Sequence, residues 1–148
     1  MKRLLKFLGE SGFWKLVGRL HVRLYRATGG ALGGKLGPLP HLLLTTVGRK
    51  SGQARTVPLT YMQDNAQYVL VASNGGSDRH PAWWLNLRES PRADVQVGGE
   101  HFEIVASEAQ GADRDRLWAA VKRFNPFYVQ YEQITSRRIP VVVLRRTS

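Results

Sequence analysis

Three short stretches carry the side chains whose types and spacing suit chemistry. The first is Gly48-Arg49-Lys50-Ser51-Gly52, followed by Arg55. Glycine at each end lets backbone N–H groups turn toward one point. Two adjacent cations, a hydroxyl and a third cation nearby then suit a phosphate or a carboxylate. A plain surface turn has the same residue types. The second is Ala72-Ser73-Asn74-Gly75-Gly76, with Pro81-Ala82-Trp83-Trp84-Leu85-Asn86-Leu87 beginning five residues on. Small residues at a strand end admit a flat ligand close to the backbone. The free N–H groups that open the next helix favour an anion. The competing reading is that Trp83 and Trp84 serve only to bury area and that Ser73 merely ends a strand. The third is Phe124-Asn125-Pro126-Phe127-Tyr128-Val129-Gln130-Tyr131. Phe127, Tyr131 and Ile134 share a helical face and read as core. Tyr128 stands about 100° round from Phe127 and is free to aim its hydroxyl at a pocket.

Other chemistries lack their parts. The 148 residues contain no cysteine, which removes disulfides, thiolate catalysis and cysteine-held zinc or iron–sulfur. His21, His41, His80 and His101 are dispersed and give no ligand pair, so no metal site is expected. No G-x-S-x-G elbow is present, no G-x-G-x-x-G follows a strand, and no paired-carboxylate site stands out. Gly29 to Lys35 fits G-x-x-x-x-G-K, but Leu36 replaces the magnesium hydroxyl, a helix precedes it, and Pro38 and Pro40 block the helix that should follow. An enzyme without these parts borrows its chemistry from an organic cofactor. The charge balance, 22 Lys plus Arg against 11 Asp plus Glu for a net +11, calls for an anionic partner: nucleic acid, an acidic membrane surface or a multiply charged cofactor.

The elements that must position these residues follow from periodicity. The length fits one domain. No apolar run is long enough to span a bilayer and the N-terminus does not read as a signal peptide, so a cytoplasmic protein is expected. Residues 1–30 stand apart as a basic amphipathic helix. Seven cations there face Glu10 alone. Phe13, Val17, Leu20 and Leu24 form an apolar stripe, and Lys15, Arg19, Arg23 and Arg26 follow another. Such a helix either packs on the domain with its basic face solvated, or lies on anionic lipid with Phe13 and Trp14 as anchors. On the lipid reading, its removal should spare activity toward a water-soluble acceptor. Residues 31–40 read as a Gly/Pro-rich linker. Residues 41–148 then hold about six strands: Leu42–Val47, Arg55–Met62, Tyr68–Ala72, Asp94–Val97, His101–Ala106 and Ile139–Leu144. Helices are expected from Pro81, over Asp113–Phe124 and after Pro126. Strands that do not alternate with crossover helices point to a mostly antiparallel α+β barrel with outer helices.

In order and spacing, L-L-L-T-T-V-G-R-K-S-G-Q-A-R-T-V-P-L at 42–59, A-S-N-G-G at 72–76, P-A-W-W-L-N-L at 81–87, Tyr128 with Tyr131, and I-P-V-V-V at 139–143 resemble the deazaflavin-dependent nitroreductase family of actinobacterial oxidoreductases. The resemblance covers roughly residues 38–146. It implies a split β-barrel that binds coenzyme F420, whose lactyl phosphate tail carries several glutamates. It further implies hydride transfer from reduced F420 (F420H2) to an electron-poor acceptor such as a quinone, an activated alkene or a nitro compound. By the same resemblance Arg49, Lys50, Ser51 and Arg55 bind phosphate and tail. Thr56, Val57, Pro58, Leu59 and Thr60, with Ala72, Ser73 and Asn74, line the deazaflavin, and Ala82, Trp83, Trp84, Leu85 and Asn86 close that site. Tyr128 lies near ring and substrate; Thr60, Tyr128 and Tyr131 face the substrate; Ser73 and Tyr128 are the hydrogen-bond or proton donors. Thr60 stands where some relatives carry an aromatic residue, and Asn125 where some carry tyrosine. FMN is the alternative cofactor, though its lack of a glutamate tail leaves less need for positive charge. A basic nucleic-acid-binding domain is the non-enzyme alternative, but no nucleic-acid motif is present, so no nucleic acid is expected. The expected protein is a monomer or homodimer, cytoplasmic and in reach of the inner membrane face.

Overall fold

The computed structural model describes residues 12–147. The basic residues before position 12 and the Phe13 side chain lie outside that description. Helix α1 (Gly12–Thr28) is followed by β1 (Lys35–Leu36), β2 (Leu39–Val47), β3 (Ala54–Thr60), β4 (Met62–Asp64) and β5 (Gln67–Val71). A short 3₁₀ turn (Asn74–Gly76) leads to α2 (Ala82–Glu89), β6 (Arg92–Val97), β7 (Glu100–Glu108), α3 (Gly111–Phe124), α4 (Phe127–Ile134) and β8 (Val141–Arg146). Every strand pairing is antiparallel. The path runs β2-β6-β7-β8-β5-β4, and β3 takes the other edge of β2. The two ends of this path, β3 and β4, are joined through Tyr61 alone. The sheet therefore curls on itself without closing its hydrogen bonds, as a split barrel.

This is the α+β barrel expected from the pattern, with two differences. Arg55–Met62 does not run as one strand: it breaks at Tyr61, whose N–H donates to the Pro40 carbonyl at 3.2 Å. Residues 35–36 pair back on residues 39–40 inside the glycine-rich stretch. Eight strands thus replace about six. The two extra ones, β1 and β4, are two and three residues long, too short to show an alternating pattern.

Three apolar clusters explain why the strands read as continuous hydrophobic runs. Leu42, Leu44, Leu70, Ile104, Val142 and Leu144 fill the barrel interior. Val69, Val141 and Val143 point outward and are covered by Leu117 and Val121 of α3 and Tyr128 of α4. Leu43 points outward from β2 and is covered by Val22 and Tyr25 of α1.

Helix α1 docks with the face opposite to the one its apolar stripe marks. Tyr25 is 1% exposed, whereas Leu16 is 64% exposed and Leu20 57%. Val17 and Leu24 are also exposed. The Tyr25 hydroxyl accepts from the Gly98 N–H at 2.7 Å and lies 3.0 Å from the His41 carbonyl and 3.3 Å from that of Gln96, to either of which it donates. A Schellman end follows. Gly29 has φ +58°, and the Gly30 N–H returns to the Tyr25 carbonyl at 2.9 Å. Gly30 also lies so close to the β6–β7 turn that a Cβ there would come within 2.9 Å of the Gly98 Cα. Tyr25→Phe leaves the Gly98 N–H and two carbonyls without their partner in a buried place. We expect a loss of about 1–3 kcal/mol in urea unfolding, with α1 more exposed to protease. Unchanged unfolding would mean that packing alone holds the helix.

Candidate functional site

The Gly48–Gly52 turn is built tightly. The Gly48 N–H donates to the Gln53 carbonyl and the Gly52 N–H to the Gly48 carbonyl, both at 2.8 Å. Gly52 sits at φ +70°, and a Cβ on Gly48 would lie 2.7 Å from the Ser51 hydroxyl. Both positions therefore need glycine. Asn86 of α2 braces the turn from behind. Its Oδ1 accepts from the Arg49 backbone N–H and guanidinium, both at 3.1 Å, and its amide donates to the Thr46 hydroxyl at 3.1 Å. Asn86 is 4% exposed, so this is a buried and satisfied network that holds the turn in one shape.

In front of the turn lies a cleft of about 640 Å³. Its lining includes Arg49, Lys50, Ser51 and Arg55, the apolar Val57, Pro58, Ala82 and Trp83, and Thr56. Helix α1 adds Trp14, Lys15, Gly18 and Arg19. Among the described residues, no carboxylate lines the cleft. Among the described residues, none forms an ion pair with Lys15, Arg19, Arg49, Lys50 or Arg55. Five cations around one space without a counter-charge fit a ligand that carries several negative charges. A smaller cavity of about 440 Å³ beside Arg26 and His101 also has Asp94 and Glu103 in its lining, so it lacks that bias.

Ala72, Ser73 and Asn74 gather at a second place. Arg137 donates to the carbonyls of Ala72 at 3.0 Å, Ser73 at 2.9 Å and Ser77 at 2.9 Å. Its third nitrogen lies 3.3 Å from His80 Nδ1. Burial, with Arg137 and Arg88 nearby, holds the His80 imidazolium below the ordinary histidine range, so the ring is neutral and accepts. Asn74 adopts a left-handed φ of +48°, and its amide donates to the Arg79 carbonyl. Gly76, at φ +81°, lets this loop meet α4: a Cβ there would stand 3.4 Å from the Tyr131 Cα. Tyr131 and Tyr128 meet edge to face at 6.2 Å. Burial pushes the Tyr128 phenol up to about 12, against a smaller opposing effect of its hydrogen bond with the Asn125 side chain. Among the described residues, the Ser73 hydroxyl has no hydrogen-bond partner.

The residues named from sequence thus fall into two groups, one at the cleft and one where the Ser73 loop meets α4. Four stand outside both. Leu59 packs against the barrel interior and Trp84 lies within it, its indole N–H buried without an acceptor. Leu85 is half-buried on α2, away from the cleft-lining face of Ala82, Trp83 and Asn86. The Thr60 hydroxyl lies 3.0 Å from His41 Nε2. Sequence reasoning missed two contributors. Lys15 and Arg19 were visible as a basic stripe, but nothing in the pattern said that the stripe faces the cleft. Arg137 gave no signal, because its partners lie about sixty residues earlier.

Comparison with known proteins agrees with this geometry. The profile described as F420H(2)-dependent quinone reductase matches residues 16–146. The chain belongs to that family. An F420H(2)-dependent quinone reductase of Mycobacterium tuberculosis is 45% identical over 132 residues, which cover 86% of this chain and 89% of that one. A solved F420-H2 dependent reductase superposes with a TM-score of 0.66 at 37% identity, over 72% of this chain and 94% of its own. A structure described as a domain-swapped dimer gives a TM-score of 0.69 at 33% identity, over 86% and 95%. The family is one of oxidoreductases whose reductant is reduced coenzyme F420.

The cleft's charge sets an expectation for cofactor selectivity. Lys50→Ala should weaken F420 binding about tenfold or more, the loss of one charge-assisted contact. FMN should bind the wild type far less tightly. Fluorescence titration of both cofactors against both proteins checks this; equal affinities for FMN and F420 would show that the cations do not select a long anionic tail.

Proposed function

We propose that this F420H2-dependent oxidoreductase reduces a quinone-type acceptor beside an anionic membrane surface. The cleft carries this reading: its described lining brings five cations and no carboxylate together with the apolar Val57, Pro58 and Trp83. That donor set fits a deazaflavin with a phosphate and glutamate tail. When bound, reduced F420 supplies a hydride. Lys50, Arg55, Ser51 and the Arg49 guanidinium hold the tail end, and Asn86 keeps that turn from moving. Thr56, Val57, Pro58, Ala82 and Trp83 flank the ring system and exclude water from it. Ala72, Ser73 and Asn74 lie on the acceptor side, where Arg137 fixes the loop.

Ser73 and Tyr128 are the hydrogen-bond donors to the acceptor oxygen as negative charge develops there. With its phenol pushed up to about 12, Tyr128 stays protonated at any working pH and is a weak acid. Its hydroxyl is thus held in the protonated form that can donate a hydrogen bond to the acceptor oxygen. Tyr128→Phe should slow single-turnover oxidation of reduced F420 by menadione about tenfold or more, with cofactor affinity little changed. An unchanged rate would leave Tyr128 a packing residue between α4 and the sheet.

The outer side of α1 supports the membrane part of the reading. Leu16, Leu20, Leu24 and Val17 occupy one arc of the helix and are all exposed. Arg23 borders the arc, and the chain as a whole is strongly cationic. An apolar arc with flanking cations lies naturally in the interface of an anionic bilayer, where lipid-soluble quinones are found. Full-length protein should sediment with phosphatidylserine-containing vesicles, and more weakly at high salt. Leu16→Ser with Leu20→Ser should abolish sedimentation while F420 affinity stays unchanged. If the wild type stays in the supernatant, or if the double variant only converts a dimer to a monomer in sedimentation velocity, the arc serves a second copy of the chain and the membrane reading falls.

A further inference from the structure

Helix α1 presents three different faces. Val22 and Tyr25 anchor it to β2 and the β6–β7 turn. Leu16, Leu20 and Leu24 face solvent. Lys15 and Arg19, one turn apart on the flank, and Gly18, one turn before Val22 on the anchoring face, line the cleft together with Lys50 and Arg55. Lys15 and Arg19 of the basic stripe are thus turned toward the cleft, while Arg23 flanks the apolar arc.

Gly18 gives an independent sign. Glycine inside a helix costs about 1 kcal/mol relative to alanine, so a mid-helix glycine needs a reason. Close packing is not the reason, because a Cβ on Gly18 would meet nothing within 4 Å. Yet Gly18 lines the cleft between Lys15 and Arg19. The glycine leaves room for something that occupies the cleft.

We infer that α1 is a structural wall of the cofactor site, in which Lys15 and Arg19 bind anionic groups of the F420 tail across the gap that Gly18 keeps open. The inference rests on the F420 reading. Its physical content is that one ligand joins two parts of the molecule: the cations of the β2–β3 turn hold it from the barrel, and those of α1 hold it from the helix. Ligand binding then clamps the helix, and helix docking is part of ligand affinity. Removing α1 therefore costs cofactor binding. This is the opposite of the expectation, drawn from the lipid reading of the sequence, that truncation spares activity toward a water-soluble acceptor.

The test uses full-length protein and two probes, F420 and the same deazaflavin riboside without phosphate or glutamates. Lys15→Ala with Arg19→Ala should weaken F420 binding about tenfold or more and leave the tail-less probe unaffected. Gly18→Leu should weaken F420 binding while its melting temperature matches or exceeds that of wild type, because leucine favours the helix. Arg23→Ala, on the outward flank, should bind like wild type. F420 should also slow tryptic cleavage after Lys15 and Arg19 in wild type. If wild type binds F420 and the Lys15/Arg19 and Gly18 variants bind it equally well, α1 is no part of the site and the inference is overturned. If the double variant loses both probes alike, the helix acts only by holding the fold, and the inference is again overturned. If wild type binds neither probe, the F420 reading itself falls, and the inference with it.

Discussion

The cofactor end of this protein depends on one buried hydroxyl. Tyr25 reaches from α1 to the β6–β7 turn through Gly98 and to the carbonyls of β2 and β6. Each of those groups would otherwise be a polar atom shut away from water. Pinning α1 there settles which of its faces meets the barrel. It places Trp14, Gly18 and the Lys15–Arg19 flank over β3, and it turns the leucines outward. The open edge of the split barrel, which would expose the backbone of β3, thereby gains a neighbouring helix and becomes the wall of a cleft.

Charge is arranged with the same economy. The chain carries a large excess of cations, and elsewhere many of them are engaged. Arg116 is bidentate to Asp64, Arg92 pairs with Glu103, and Arg114 donates to the Ile139 carbonyl. Among the described residues that line the cleft, no carboxylate offsets them. Like charges held close repel one another, so the site is unfavourable until an anion arrives, and an anion of several charges relieves more of that repulsion than one of few. Asn86 and the two turn glycines keep the turn fixed, which spares the ligand the entropic cost of ordering it.

A separate scaffold holds the Ser73 loop. Three carbonyls of the Ser73 loop converge on Arg137, and a neutral His80 takes a further donor. The loop in turn packs on α4 at Gly76, whose φ of +81° is one that side chains rarely adopt. The Gly48–Gly52 turn and the Ser73 loop are thus positioned by different helices, and the short segment from Ser73 to Pro81 joins the Ser73 loop to α2.

Much of this was legible in one dimension. Leu42–Val47 and Val141–Leu144 read as strands because both of their faces are apolar, and tertiary structure covers both. The Gly48–Gly52 turn read as an anion site because its chemistry is local: glycines, cations and a hydroxyl within five positions. The helix that carries Tyr128 was expected where it lies, but with its faces exchanged: Phe127 and Ile134, expected as core, are 56% and 39% exposed, whereas Tyr128 is 7% exposed and packs in the cluster under α3. Three things were decided only in three dimensions. Tyr61 breaks a continuous β pattern, because curling the sheet requires the chain to leave one edge and join the other. Arg137 serves a loop about sixty residues earlier, a partnership no local pattern encodes. And α1 docks through Val22 and Tyr25 rather than through its leucine stripe. Amphipathicity records only that a helix has two kinds of face; which one meets the protein is set by the groups waiting there, here Leu43 and the unpaired polar atoms of Gly98 and His41.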